Sequence, residues 1–156
     1  MNQPTWQIPK KILDETSTIL SSKNAEVFVL WTAPINMTDN IFRISRCVFP
    51  KQDAGFNFGA YVHIDGNELS RIVFDNYEKG ERSVVQIHTH PSKNVEMSLL
   101  DRKWEVVNHV GALSMIVPSY NKDKLNGFSG VNIYERETND WRLWTSDETK
   151  KRLIIV

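Results

Sequence analysis

Hydrophobic and polar positions change period several times along the chain, and each change marks an element. Between residues 8 and 22, Ile8, Ile12, Ile19 and Leu20 recur at near-helical spacing, which predicts an amphipathic helix laid on a sheet. Glu26 to Thr32 is apolar except for Glu26 and reads as a buried strand that Pro34 ends. Ile41 to Pro50 reads as a second strand. A polar stretch with Phe56, Phe58, Gly55 and Gly59 follows, then Ala60 to His63. Leu69, Ile72, Val73 and Tyr77 predict a helix over 67–78, with Gly80 as its stop. Ser83 to His90 is β-branched and apolar enough for a buried strand. A third helix from about Ser98 carries a stripe of Leu99, Leu100, Trp104, Val107 and Val110, with His109 placed as a charge near its C-terminus. Leu113 to Pro118 is a strand, and 119–127 is a polar loop, either a lip beside a site or a plain connection. Val131 to Glu135 and Trp141 to Thr145 alternate around Thr138-Asn-Asp140, a hairpin pattern. The apolar tail 151–156 could dock, pair as a strand or meet a partner.

The strand over 83–90 and the start of the third helix concentrate the chemistry. There SVVQIHTHPSKNVEMSLLD reads H-x-H-x7-S-x-x-D, with His88, His90, Ser98 and Asp101 at fixed offsets. Residues two apart on a strand share a face, about 6–7 Å apart at Cα, a gap that suits two imidazoles converging on one ion. Pro91 lacks an N–H and helps end the strand. Three apart on a helix, Ser98 and Asp101 also share a face. Each half has an ordinary reading: a histidine pair on a strand is commonly structural, and S-x-x-D is a helix cap. Taken together in the order strand, turn, helix, they point to a metal site. Two imidazoles and one carboxylate suit Zn²⁺ with a fourth position left for water, the pattern of a catalytic zinc.

Composition narrows the classes. At 156 residues the chain can bury a core without disulfides as one domain, and 19 basic residues against 19 acidic ones leave no overall field for nucleic acid or an anionic membrane. The single Cys47 excludes an intramolecular disulfide and reads as a packed thiol. The N-terminus lacks the apolar core of a signal peptide and no run approaches a membrane span, so a cytoplasmic location is expected. His63 lies outside the motif and reads as a surface or packing residue.

The H-T-H-P and S-L-L-D segments resemble the JAMM motif of the JAB/MPN metalloproteases, whose best-known members are zinc-dependent deubiquitinating enzymes. Leu113 to Pro118 and Gly130 to Glu135 resemble later strands of that family, so the likeness covers most of the chain. It implies a single α/β domain over 1–156 of the JAB/MPN (cytidine-deaminase-like) kind, a mixed central sheet flanked by helices. It implies Zn²⁺ held by His88, His90 and Asp101, Glu26 as general base and Ser98 as donor to the oxyanion. In the eukaryotic members an insertion near the aromatic-bearing stretch 51–61 pairs with the extended tail of ubiquitin, so that stretch is either a reduced groove or a turn folded on the core. The compact length is more similar to the prokaryotic branch encoded with ubiquitin-activating-like (E1-like) and conjugating-like (E2-like) enzymes, several in antiphage (antiviral) defence operons. That implies isopeptidase or peptidase action after the C-terminus of a ubiquitin-like protein, from a precursor or a conjugate. The alternatives are a JAB-type peptidase on a cell-wall or carrier-protein peptide, a zinc-free MPN scaffold subunit, and the DNA-repair-associated branch. Retention of every motif residue counts against the scaffold; zero net charge and a different spacing after the histidines count against the repair branch.

Overall fold

In the computed structural model, which describes residues 3–54, 62–103 and 105–156, the histidine-bearing run is strand β7 (Glu81–Thr89) inside a six-stranded mixed sheet. Its neighbours are β2 (Phe28–Pro34), antiparallel, and β8 (Leu113–Val117), parallel. Beyond them lie β4 (Arg46–Val48) on one side, and β9 (Asn132–Arg136) and β10 (Trp141–Leu143) on the other. A parallel β7–β8 pair requires a crossover, and that crossover carries Ser98 and Asp101 over one face of the sheet. A second, three-stranded sheet joins β1 (Thr5–Ile8), β3 (Ile41–Arg43) and β11 (Leu153–Ile155), all parallel. β5 (Asp53–Ala54) pairs antiparallel with β6 (Val62–His63).

Both faces of the large sheet are covered, which is why its central strands are apolar runs and not alternations. Val29, Trp31, Val85, Ile87, Leu113 and Met115 point to one face, against Ile12, Leu13 and Leu20 of α1 (Lys10–Leu20) and Trp6 of β1. Phe28, Leu30, Ile116 and Tyr134 point to the other, with Ile72 of α2 (Gly66–Glu78) and the crossover residues Met97 and Val107. His88 lies on this second face. No helix among the described residues is long and apolar enough to cross a membrane.

Several elements differ from the periodicity. Ile8 is not helical: it closes β1, and α1 starts only after Pro9, its first amide donating to the Val156 carbonyl at 2.9 Å. The tail is therefore a strand that also caps a helix, and it follows α4 (Ser146–Arg152), a helix opened by a capping box between Thr145 and Glu148. The run from Ile41 to Pro50 divides into β3 and β4 in different sheets, because Ile44 N–H bonds Gln7 and Ser45 N–H bonds Thr32. On α2 the inward positions are Glu68, Ile72 and Asn76, so Val73 and Tyr77 face solvent. Polar contacts turn the helix that way: Asn76 binds Arg46 and Ser83, and Glu68 accepts from Lys51 N–H.

The largest departure is the third helix. Among the described residues of that stretch only Leu99–Lys103 (α3) is helical, none of it buried, and Leu99 is 87% exposed. The stripe fails because the amides of Val106 and Val107 donate to the Gln86 side chain instead of continuing a helix. Val110 is exposed, and Trp104 lies outside the described residues, as does the 55–61 part of the aromatic-bearing stretch. His109 meets no helix terminus; burial and then Arg82 lower its pKa, so it is not the favourable charge the pattern suggested.

Candidate metal centre

The centre forms where β7 ends. Thr89 N–H donates to the Val27 carbonyl at 3.1 Å and Val27 N–H to Thr89 Oγ1 at 3.0 Å, which brings Glu26, just ahead of β2, to the histidines. His90 N–H donates to Val117 O at 2.8 Å, and Tyr120 N–H donates to His90 O at 2.9 Å. Tyr120 belongs to a left-handed turn over Ser119–Asn121, which Asn121 anchors on α1 through Ser17 and Ser21. The polar loop thus packs directly behind a candidate ligand.

The side chains converge. His88 Nε2 and His90 Nε2 are 3.1 Å apart, His88 Nε2 is 3.1 Å from Asp101 Oδ1, and His90 Nε2 is 3.2 Å from Asp101 Oδ2. Ligand atoms about 2.0–2.1 Å from a tetrahedral Zn²⁺ stand about 3.3 Å from one another; the two imidazole nitrogens have about that spacing and Asp101 sets one carboxylate oxygen beside each, so the donor set fits such an ion. The protonation pattern fits as well. His90 Nδ1 donates to Asn94 O at 2.8 Å, leaving the Nε2 lone pair aimed at the centre. Asp101 is oriented by Ser98: Ser98 N–H donates to Asp101 Oδ2 at 2.9 Å, and Asp101 N–H donates to Ser98 Oγ at 3.0 Å. The cap and the ligand geometry are one arrangement. His88 stacks on Phe28 with ring centroids 6.3 Å apart, and its Nδ1 is buried without a hydrogen-bond partner among the described residues.

A cavity of about 290 Å³ opens at this point, lined by Glu26, Ser98 and the three converging side chains, with Phe28, Val62 and Leu100 as apolar walls. Burial pushes the Glu26 carboxyl up to about 8; His90 pulls it down and Asp101 pushes it up. Asp101 behaves oppositely: burial would raise it, but the His88 and His90 rings against its two oxygens hold it well below the usual carboxylate range. His90 is raised because the Asp101 and Asn94 hydrogen bonds outweigh the burial that lowers it. The two histidines thus favour the charged form of Asp101, while burial favours the protonated form of Glu26.

Two residues that support the centre have no signal in the H-x-H or S-x-x-D pattern. Gln86 shares a face with His88 two residues on, and pins the far end of the crossover at Val106 and Val107. Period-2 counting from His88 could have found it; its partners could not have been read. Tyr134 on β9 accepts a hydrogen bond from Met97 N–H at 3.1 Å, and nothing local in the sequence marks it. His63 lines a separate surface hollow with Asp53 and Asp65. Cys47 accepts a hydrogen bond from Thr16 Oγ1, away from the centre.

The fold and site together describe an α/β domain in which His88, His90 and Asp101 stand in an arrangement that could hold a metal ion. No family model matches the chain. Over 110 residues it is 29% identical to the probable metalloprotease y4jG of Sinorhizobium fredii, a match that covers 70% of this chain and 65% of that protein. Two solved structures share the fold. Protein DSY2949 from Desulfitobacterium hafniense superposes with a TM-score of 0.68 at 12% identity, covering 97% of this chain and 92% of its own. AF2198, a JAB1/MPN domain protein from Archaeoglobus fulgidus, superposes with a TM-score of 0.52 at 13% identity over the whole of both chains. The architecture is that of a JAB1/MPN domain.

Proposed function

We propose that this chain is a JAMM-type zinc metallopeptidase that hydrolyses the bond after the C-terminus of a ubiquitin-like protein, from a precursor or a conjugate. One observation carries the metallopeptidase reading: His88, His90 and Asp101 converge at 3.1–3.2 Å beside Glu26 and Ser98 in one cavity. The likeness to a probable metalloprotease supports it. His88, His90 and Asp101 would hold a divalent metal, which would supply Lewis acidity and make a water acidic near neutral pH.

The chain's own residues supply the rest. Burial raises Glu26 to about 8 against the lowering effect of His90, and a cation held beside it would favour its charged form, the form a general base needs. Glu26 accepts a proton from the attacking water and hands it to the leaving amine. The Ser98 hydroxyl accepts from Asp101 N–H, so its own hydrogen is free to donate to the oxyanion that develops on the scissile carbonyl. Loss of one such donor costs about 3 kcal/mol. Phe28, Val62 and Leu100 offer apolar walls that exclude water around the scissile bond.

The test is incubation of zinc-loaded protein with tagged ubiquitin-like fusions, including any encoded beside this gene, and mass spectrometry of the products. Cleavage immediately after the modifier's last residue is expected. Uncut fusions alongside turnover of a cell-wall peptide would reject the substrate, and protein that binds no metal while fully folded would reject the enzyme.

A further inference from the structure

We infer that Tyr134 is a positioning residue for the metal centre, acting through the segment that supplies both the partner of His90 and the third ligand. The inference rests on the metal reading above. The run from Pro91 to Lys103 has almost no core of its own: Met97 is its buried residue, and α3 buries none. A hydrophobic stripe therefore does not fix where Asp101 stands. The Tyr134 hydroxyl reaches into this run from β9, where the residue is 5% exposed. It accepts from Met97 N–H at 3.1 Å and from Asn132 Nδ2 at 3.2 Å, and donates to Val95 O at 3.4 Å.

Those contacts fall between the two parts of the segment that matter. On one side is Asn94, whose carbonyl fixes the tautomer of His90. On the other is Ser98, whose amide and hydroxyl orient Asp101. One hydroxyl thus sets the path of the backbone between a ligand's outer partner and another ligand. Partners of this kind are worth 10- to 100-fold in metal affinity, even when they touch no ion. Tyr134 touches neither ligand directly, so its effect belongs near the lower end of that range.

The experiment compares Tyr134→Phe with Thr16→Val by titrating metal-free protein with Zn²⁺ and Co²⁺ and recording the visible spectrum of the cobalt form. Thr16 is a fair control because its hydroxyl is fully buried, binds Ile12 O and Trp31 Nε1, and lies on the opposite face of the sheet. Tyr134→Phe is expected to weaken metal binding about tenfold and to change the cobalt absorption, while Thr16→Val lowers the melting temperature and leaves both unchanged. Wild-type affinity and spectrum in Tyr134→Phe, or equal losses in the two variants, would overturn the inference. If Tyr134→Phe does not fold, Asn132→Ala removes the amide that orients the hydroxyl; a fall in affinity supports the inference and unchanged affinity counts against it. Absence of metal binding in the wild type would instead refute the metal reading itself.

Discussion

Gln86→Leu is the sharpest test of how the crossover is held. Gln86 is 3% exposed and, among the described residues, makes three hydrogen bonds, from Val106 N–H at 3.0 Å, from Val107 N–H at 2.9 Å, and to Ser114 Oγ at 3.1 Å. Leucine nearly preserves the volume, so a cavity contributes little and the loss is mainly polar. Each hydrogen bond is worth about 1 kcal/mol net, and a buried amide left unpaired costs about 1–3 kcal/mol. With two amides and one hydroxyl released, we expect a loss of about 3 kcal/mol, a large share of the roughly 5–15 kcal/mol of a typical domain. Urea unfolding at constant m-value reads that loss, and amide exchange at Val106 and Val107 should accelerate well beyond exchange in β7. A loss under about 1 kcal/mol, with both amides still protected, would show that water or a shifted backbone replaces Gln86 and that the crossover is held otherwise.

Three further outcomes follow from the same structure. Glu26→Ala should lower turnover by roughly 10²–10⁴-fold while zinc content, read by elemental analysis, stays at wild-type level; surviving activity would remove Glu26 as the base. Glu148 is lowered from 4.5 to about 2, first by its Arg142 hydrogen bonds and, against some desolvation, by the Thr145 cap. Because the folded value is the lower one, the stability it contributes is complete above about pH 4.5 and drains away as pH falls toward 2. Glu148→Gln should flatten that limb of the acid-unfolding curve, and an unchanged limb would refute the assignment. Burial pushes the Cys47 thiol up to about 11 against the lowering effect of Thr16, so iodoacetamide at pH 8 should label native protein far more slowly than urea-unfolded protein; equal rates would contradict it.

The parts legible from the sequence were those governed by local rules. His88 and His90 share a face because a strand alternates every two residues, and Ser98 meets Asp101 because a helix start brings positions three apart together. The hairpin around residues 138–140 and the strand over 113–117 are local in the same sense. What escaped depends on distant partners. β1 is only four residues long and exists because β3 and β11 flank it. The stripe through Val107 and Val110 looked helical, but a glutamine twenty residues upstream of Val106 captured the amides that a helix would have used.

The amino-acid sequence by itself determined which side chains could bind a metal and that two of them must emerge together from one strand, since periodicity and spacing are properties of neighbours. The tertiary structure decided that Asp101 and Glu26 reach the same point, how the unburied α3 is held there, and which face of α2 meets solvent. Those outcomes turn on hydrogen bonds and packing between residues far apart in the chain, such as Tyr134 with Met97 and Val27 with Thr89, which no local pattern encodes.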